Sequence, residues 1–417
     1  MYMPPERPLV LHISGEYPDP VRNRTTPAVK SFIDRLPEFD HLIVSIRRQS
    51  DPRRCYVEGF EDGPHRRVVA IGYWAPPAGV LHRWRMRRLA RDIEAVLARL
   101  GRRPVVTTAH KLTIEGVVAY RLRQRLGIPY ICCVRGEVED KFFRFKPELA
   151  PLFGNVIAEA EALYFVSAWF RKRIEARYPG RMRAHSLLPN FVADRPAPPL
   201  REPEPNTLLS VMDLNVYRRK GLPDLLRALA RARQVNPALR LDVIGWTSPE
   251  LTAEVTRLAA RAGVESSVRF LGFKPNAEVV RSLPGYAGFV LPARNETFGM
   301  AYVEALMAGV PILYGSNSGI DGYLDGLEAG ITVPLGDDAK LADGLLELIR
   351  RGPELREGLR SHHAELRRRF ALDSYLDHYR AQVRRLAMHR QTDGPVGSAS
   401  RAVSLRPSPE GPAIDEL

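Results

Sequence analysis

Two glutamates eight positions apart, Glu296 and Glu304, stand in the run N-E-T-F-G-M-A-Y-V-E-A-L-M-A-G-V-P, residues 295–311. Glu296 lies where helix formers begin. Glu304 lies two turns further on, rotated from it by roughly 80° at 3.6 residues per turn. One turn from Glu304 are Met300, Ala301, Met307 and Ala308, a small and apolar set. A carboxylate on such a face needs donors. A ribose diol brings two adjacent hydroxyls to two carboxylate oxygens. The backbone N–H groups around Thr297, Phe298, Gly299 and Met300 suit an anion at the helix start, and Gly299 lets it approach closely. A diphosphate near this helix end and a ribose near Glu304 account for the pattern. Taken alone, the pair also fits plainer explanations. A glutamate at a helix start answers the macrodipole, and one in mid-helix is commonly solvated.

The elements that must position this run are readable around it. The apolar stretch 288–292 reads as a short buried strand, and helix formers run from 298 to 308. Gly309 and Pro311 end the helix, and 311–314 reads as the next strand. In a parallel α/β sheet a loop so placed lies at the carboxyl end of a strand, where ligands bind. Further strands are expected at 8–14, 41–46, 67–72, 104–110, 128–134, 162–167, 185–191, 207–212, 238–245 and 268–273. Helices are expected at 27–36, 81–100, 113–126 and 375–389. This alternation is α/β. The 417 residues are enough for two domains. Residues 193–206 are rich in proline and charge and read as a linker. Residues 391–417 are rich in Ser, Pro and Gly and read as a disordered tail.

Composition, at 45% hydrophobic and 26% charged, is that of a soluble globular protein. Three cysteines give neither a disulfide framework nor metal-ligand spacing. The N-terminus does not read as a signal peptide, and no apolar run approaches the roughly 20 residues of a spanning helix. A cytoplasmic protein is expected. The formal charge of +14 has three readings. Nucleic-acid binding lacks any motif to support it. An anionic membrane surface is the second, and solvated arginine-rich faces are the third. The expected helix 81–100 carries Arg83, Arg85, Arg87, Arg88 and Arg91 beside Trp84. It fits a sheet-covering helix with a basic outer face, and it also fits a helix lying on anionic lipid.

The run around Glu296 and Glu304 closely resembles the signature of family 4 glycosyltransferases, retaining enzymes of the GT-B fold. G-S-N-S-G-I at 315–320 resembles the family's glycine-containing turn, and D-G-L-E-A-G-I-T-V-P-L-G-D at 325–337 resembles the run that follows it. The resemblance implies two Rossmann-like doubly wound domains facing across a cleft. Residues 1–192 form the acceptor side, 207–370 bind the nucleotide sugar, and a helix in 371–390 crosses back to the first domain. It implies Glu304 on the ribose, Glu296 on the sugar hydroxyls, and the backbone of Phe298 to Met300 on sugar and phosphate. His110, at the end of an expected strand, would lie near the sugar. Lys220 of the Lys-Gly pair 220–221 would meet the diphosphate, joined by Arg219 or Arg218.

The chain departs from the family pattern in three places. The usual Gly-Gly pair after the first strand is absent, and Arg22, Asn23 and Arg24 occupy that region, where Arg22 and Arg24 are expected either to supply charge to the donor phosphate or to serve the acceptor. Asp213 stands where an arginine is usual. Arg135-Gly-Glu137 replaces a common His-Gly-Ser-Asp, making Arg135 an expected anion or acceptor contact. Ser167 is expected to cap a helix. Phe273 is expected either to stack on a base or to join the core. No Asp-x-Asp motif appears, so no obligate metal or cofactor is expected beyond a UDP- or GDP-linked donor. The expected acceptor is a saccharide or lipid-linked saccharide, and nucleic acid is not an expected partner. Sugar-nucleotide 2-epimerisation, or an inactive scaffold binding a partner or membrane, are the alternatives.

Overall fold

The computed structural model describes residues 7–19, 21, 28–190, 198–199 and 201–392. Its first sheet holds β1 (Leu9–Ser14), β2 (Asp40–Gln49), β3 (Tyr56–Glu61), β4 (Arg66–Trp74), β5 (Val106–Ala109), β6 (Tyr130–Val134), β7 (Ala162–Phe165) and β8 (His185–Leu187). The order is β3-β4-β2-β1-β5-β6-β7-β8. The second holds β9 (Glu204–Val211), β10 (Arg240–Ile244), β11 (Val268–Phe270), β12 (Tyr286–Leu291), β13 (Ile312–Gly315) and β14 (Gly330–Val333). Its order is β11-β10-β9-β12-β13-β14. All pairings are parallel except β3 with β4. Both sheets reverse direction of growth at one point, between β1 and β5 and between β9 and β12. Such switch points leave a crevice at the carboxyl ends of the strands.

The central strands are apolar on both faces because helices cover both. Every residue of β1, L-V-L-H-I-S, is buried, as is every residue of β6. Helix His82–Leu100 buries Met86, Leu89, Ala90, Ile93 and Leu97 on one face of the first sheet. The opposite face is covered by helix Ala28–Asp34 and by the last helix, Leu372–Thr392. That last helix packs Leu376, Tyr379 and Val383 against β1 and β6 residues, and its Tyr379 hydroxyl meets Thr108 Oγ1 at 2.6 Å. The chain thus returns to its first sheet after building the second.

The structure differs from the expectations in several places. The edge strand β3 was not expected, because Y-V-E-G-F-E carries charges and a central glycine. It is held by its antiparallel partner β4, where Gly72 gives room to the Tyr56 ring. Helices Glu137–Phe145 and Ala150–Glu159 were also not expected. The expected helix 113–126 opens as a wide π-type turn, Leu112–Gly116, before the regular helix Val117–Leu126. Wide turns of this kind recur at functional sites. The strand β9 begins at Glu204, inside the stretch read as linker, and the last helix runs to Thr392. Arg22 and Arg24, and the tail from 393, lie outside the described residues.

A histidine spine crosses the first sheet. His12 Nδ1 lies 3.2 Å from His110 Nε2, His12 Nε2 lies 3.0 Å from His41 Nδ1, and His41 Nε2 lies 2.9 Å from the Leu36 carbonyl. All three rings are buried. Burial lowers each from the ordinary histidine range, His110 to about 3. All three therefore take up a proton more readily in the unfolded chain, near pH 6.5, than in the fold. The unfolded chain binds more protons below that pH, so stability falls on acidification.

Two outcomes follow. The urea midpoint is expected to drop between pH 7.5 and 5.5, and His41→Asn is expected to flatten that slope. A midpoint independent of pH over this range would remove the neutral spine. Leu376→Ala is expected to cost about 3 kcal/mol, and an unchanged urea midpoint would mean that the last helix does not dock.

Candidate active site

The loop after β12 is shaped by close backbone approaches. Gly221 has φ +80°, and a Cβ there would lie 2.2 Å from the Pro292 carbonyl oxygen. Only glycine lets the loop after β9 pack against the loop after β12. The Arg294 amide donates to the Arg219 carbonyl at 2.9 Å. This seam carries Lys220 Nζ to 2.5 Å from Glu296 Oε2, with both side chains largely buried. Glu296 is fixed further by its backbone. Its amide donates to Ser318 Oγ at 2.9 Å, and its carbonyl accepts from the Gly319 amide at 2.9 Å. Gly299, at φ +79°, turns the chain into helix Met300–Met307. A helix start leaves its first amides without a carbonyl one turn back, so Thr297, Phe298, Gly299 and Met300 stand at an anion-attracting end. The Phe298 ring itself is core, packed on Tyr323 and Phe370.

Glu304 is half-buried, and its Oε1 accepts from Asn276 Nδ2 at 2.9 Å. Two of the proposed cations part ways. Arg219 turns toward the first domain and lies 3.7 Å from Glu137. Arg218 is not brought to Lys220; it lies over the Tyr217 ring and 3.3 Å from Glu254. Asp213 accepts from the Asn215 amide at 2.9 Å and caps the short turn Leu214–Val216. Phe273 is exposed rather than core.

The first domain contributes a charged cluster at its own switch point. Arg135 is buried; its Nε donates to the His110 carbonyl at 3.1 Å, and its guanidinium lies 3.9 Å from Glu16. Lys111 pairs with the same glutamate at 2.5 Å. Arg135 and Lys111 outweigh burial and hold the Glu16 carboxyl below its usual range. Glu115, in the wide turn, accepts from the Gly15 amide at 2.9 Å, and burial pushes its carboxyl up to about 7. Glu139 takes the amides of Leu112 and Gly136 at 3.0 and 2.9 Å. Sequence reasoning missed Glu16, Lys111, Glu115 and Glu139, since nothing in their spacing brings them together. His110 sits beside this cluster, but its Nε2 already meets His12 and the residue is 3% exposed. Among the described residues no group of three His, Cys, Asp or Glu side chains could hold a metal ion.

The two domains touch through the loop after β12 itself. Ser167 occupies the expected N-cap position of helix Ala168–Arg177 without capping it. Its hydroxyl instead meets the Thr297 carbonyl at 2.5 Å and the Arg135 carbonyl. Trp169 Nε1 donates to the Glu296 carbonyl at 3.1 Å. Tyr323 donates back to the Val166 carbonyl at 3.1 Å. The carbonyls on either side of the Glu296–Thr297 bond are therefore set by the opposite domain.

Known proteins give this arrangement a context. A sequence-family model described as Glycosyl transferases group 1 matches residues 194–365. The chain is 32% identical over 139 residues to a D-inositol 3-phosphate glycosyltransferase of Corynebacterium jeikeium, covering 32% of this chain and 33% of that relative. It is 25% identical over 308 residues to the protein of the same name from Stackebrandtia nassauensis, covering 66% of this chain and 68% of that one. Sequence similarity thus spans about a third of the length of the first curated relatives. The fold is that of sucrose-phosphate synthase from Thermosynechococcus elongatus, with a TM-score of 0.66 at 18% identity over 90% of this chain and 99% of the other. Residues 194–365, most of the second doubly wound domain, thus match the group 1 glycosyltransferases, and the two domains together have the GT-B fold.

Proposed function

We propose that this chain is a retaining glycosyltransferase that moves a sugar from a nucleotide-diphosphate sugar, UDP- or GDP-linked, to an acceptor hydroxyl in surface polysaccharide or glycolipid assembly. The observation that carries the reading is the meeting of Lys220 and Glu296 at 2.5 Å at the β9/β12 switch point, beside a helix start. A diphosphate there competes with Glu296 for the Lys220 ammonium. Lys220 neutralises the charge that grows on the diphosphate as its bond to the sugar breaks. Arg219 adds charge from the same loop. Glu296, released from Lys220, holds sugar hydroxyls, and Glu304, steadied by Asn276, takes the ribose. The amides from Thr297 to Met300 hold sugar and phosphate oxygens.

In this reading the first domain, residues 1–192, takes the acceptor, and the second, 207–370, takes the donor. The acceptor hydroxyl attacks the anomeric carbon on the side of the leaving group. The carbon–oxygen bond to the diphosphate breaks as the new one forms, and a diphosphate oxygen receives the proton. The protein supplies charge and alignment. His110 is neutral and acts through its carbonyl, which fixes Arg135. Arg135 and Lys111 suit an acceptor bearing a negative group. The relatives named for D-inositol 3-phosphate support an acceptor of that charge. The reaction takes place in the cytoplasm at the inner face of the membrane.

Calorimetric titration with UDP, GDP and ADP tests the reading. One diphosphate is expected to bind in the micromolar range. Glu304→Ala is expected to weaken it about 10- to 100-fold, the worth of hydrogen bonds to a charged group. No binding of any of the three would sink the assigned site and favour an inactive scaffold. Lys220→Ala is expected to erase the preference for diphosphate over monophosphate and to lower kcat about 100- to 1,000-fold. Equal turnover in that variant would remove Lys220 from the chemistry.

A further inference from the structure

On the first domain, away from the donor loop, lies a cavity of about 570 Å³. Pockets that take small organic ligands run from about 300 to 1,000 Å³. Its walls are largely apolar, with Val80, Met86, Ile114, Phe142 and Phe145 among them. Ile114 belongs to the wide turn Leu112–Gly116, which leads away from His110. The cavity therefore borders the acceptor-side cluster from behind without sharing its charged residues.

Four cations and no carboxylate line this space: Arg48, Arg85, Lys141 and Lys146. Among the described residues Lys141 pairs with Glu137 at 3.2 Å and Lys146 with Glu148 at 3.8 Å, and partly exposed pairs of this kind are weak and readily exchanged. Arg85 is fixed differently. Its guanidinium lies 3.5 Å from the Trp74 ring centre and 4.3 Å from that of Trp84. Its Nε is buried with no hydrogen-bond partner among the described residues. A cation held between two aromatic rings with an unmet donor asks for an acceptor oxygen.

Of the lining, Val80 and Phe145 are about half exposed or more, as are Leu81 and Trp84, which adjoin the lining residues Val80 and Arg85 in the chain. Leu81 even adopts φ +59°, a strained backbone for leucine, and its side chain remains outward. Large apolar groups clustered beside cations mark a surface for an amphiphile. Among the described residues no helix is long and apolar enough to cross a membrane.

We propose that this cavity seats the acyl chain of an anionic membrane phospholipid. The lipid phosphate lies on Arg85 and Lys146, and the arginine-rich start of helix His82–Leu100 rests on the bilayer surface. One chain in a pocket and a basic patch are the two signals that stable peripheral binding needs. The inference rests on the transferase reading only for its purpose, which is to hold the cleft beside a lipid-linked acceptor.

The full chain is titrated calorimetrically with dihexanoyl phosphatidylglycerol below its micelle concentration, and separately with glycerol 3-phosphate. It is also sedimented with vesicles of phosphatidylglycerol and phosphatidylcholine. The short-chain lipid is expected to bind one to one, and glycerol 3-phosphate at least about tenfold more weakly, because it lacks the chain. Val80→Asp and Phe145→Asp change exposed residues and are expected to cost at least about tenfold in both lipid assays, with nucleotide diphosphate binding unchanged. Equal affinity for glycerol 3-phosphate would overturn the proposal, as would vesicle binding that survives Val80→Asp and vanishes only in high salt. Lipid binding without nucleotide binding in the parent chain would sink the transferase reading and leave the lipid site standing.

Discussion

The contact between Gly221 and the Pro292 carbonyl governs the second domain. A single methyl group at residue 221 would collide with that oxygen, and the two loops at the switch point would separate. Lys220 would then leave Glu296, and the seam from Arg294 to Arg219 would open. The ion pair is largely buried, so its two charges depend on each other. The meeting of Lys220 with Glu296 in the proposed mechanism follows from this one approach of backbone to backbone.

Across the cleft the first domain solves a different electrostatic problem. It buries three histidines in a row and keeps them neutral, so that β1, β2 and β5 share a polar spine without net charge. The charges gather instead at the carboxyl ends of β1, β5 and β6, where Glu16, Lys111 and Arg135 balance one another. Glu139 ties the wide turn to the loop after β6 by taking an amide from each.

The two halves are joined where the chemistry is proposed to occur. Ser167 and Trp169 set the carbonyls of Thr297 and Glu296, so the orientation of the donor loop depends on the first domain. Gly136 leaves room for Ser167, since a Cβ there would lie 2.8 Å from its hydroxyl oxygen. The last helix closes the circuit by packing on the first sheet. Relative movement of the domains would thus register directly at Glu296.

The sequence by itself determined the α/β alternation, most of the buried strands and the run 295–311, because these are local. A parallel strand buried on both faces is a continuous apolar run, and a helix start needs its glycine nearby. Lys220 and Glu296 were legible for the same reason, each lying in a short motif with its own punctuation. Tertiary structure alone decided what those residues touch. It sent Arg218 to Glu254 and Arg219 toward Glu137, although they are neighbours in the chain. It turned Ser167 from a helix cap into a bridge between domains, enclosed His110 behind His12, and assembled Glu16, Lys111, Glu115 and Arg135 from three separate loops. Those outcomes depend on which strands neighbour each other at the switch points, and sheet order is set by packing across the whole chain, beyond the reach of any local pattern of residues.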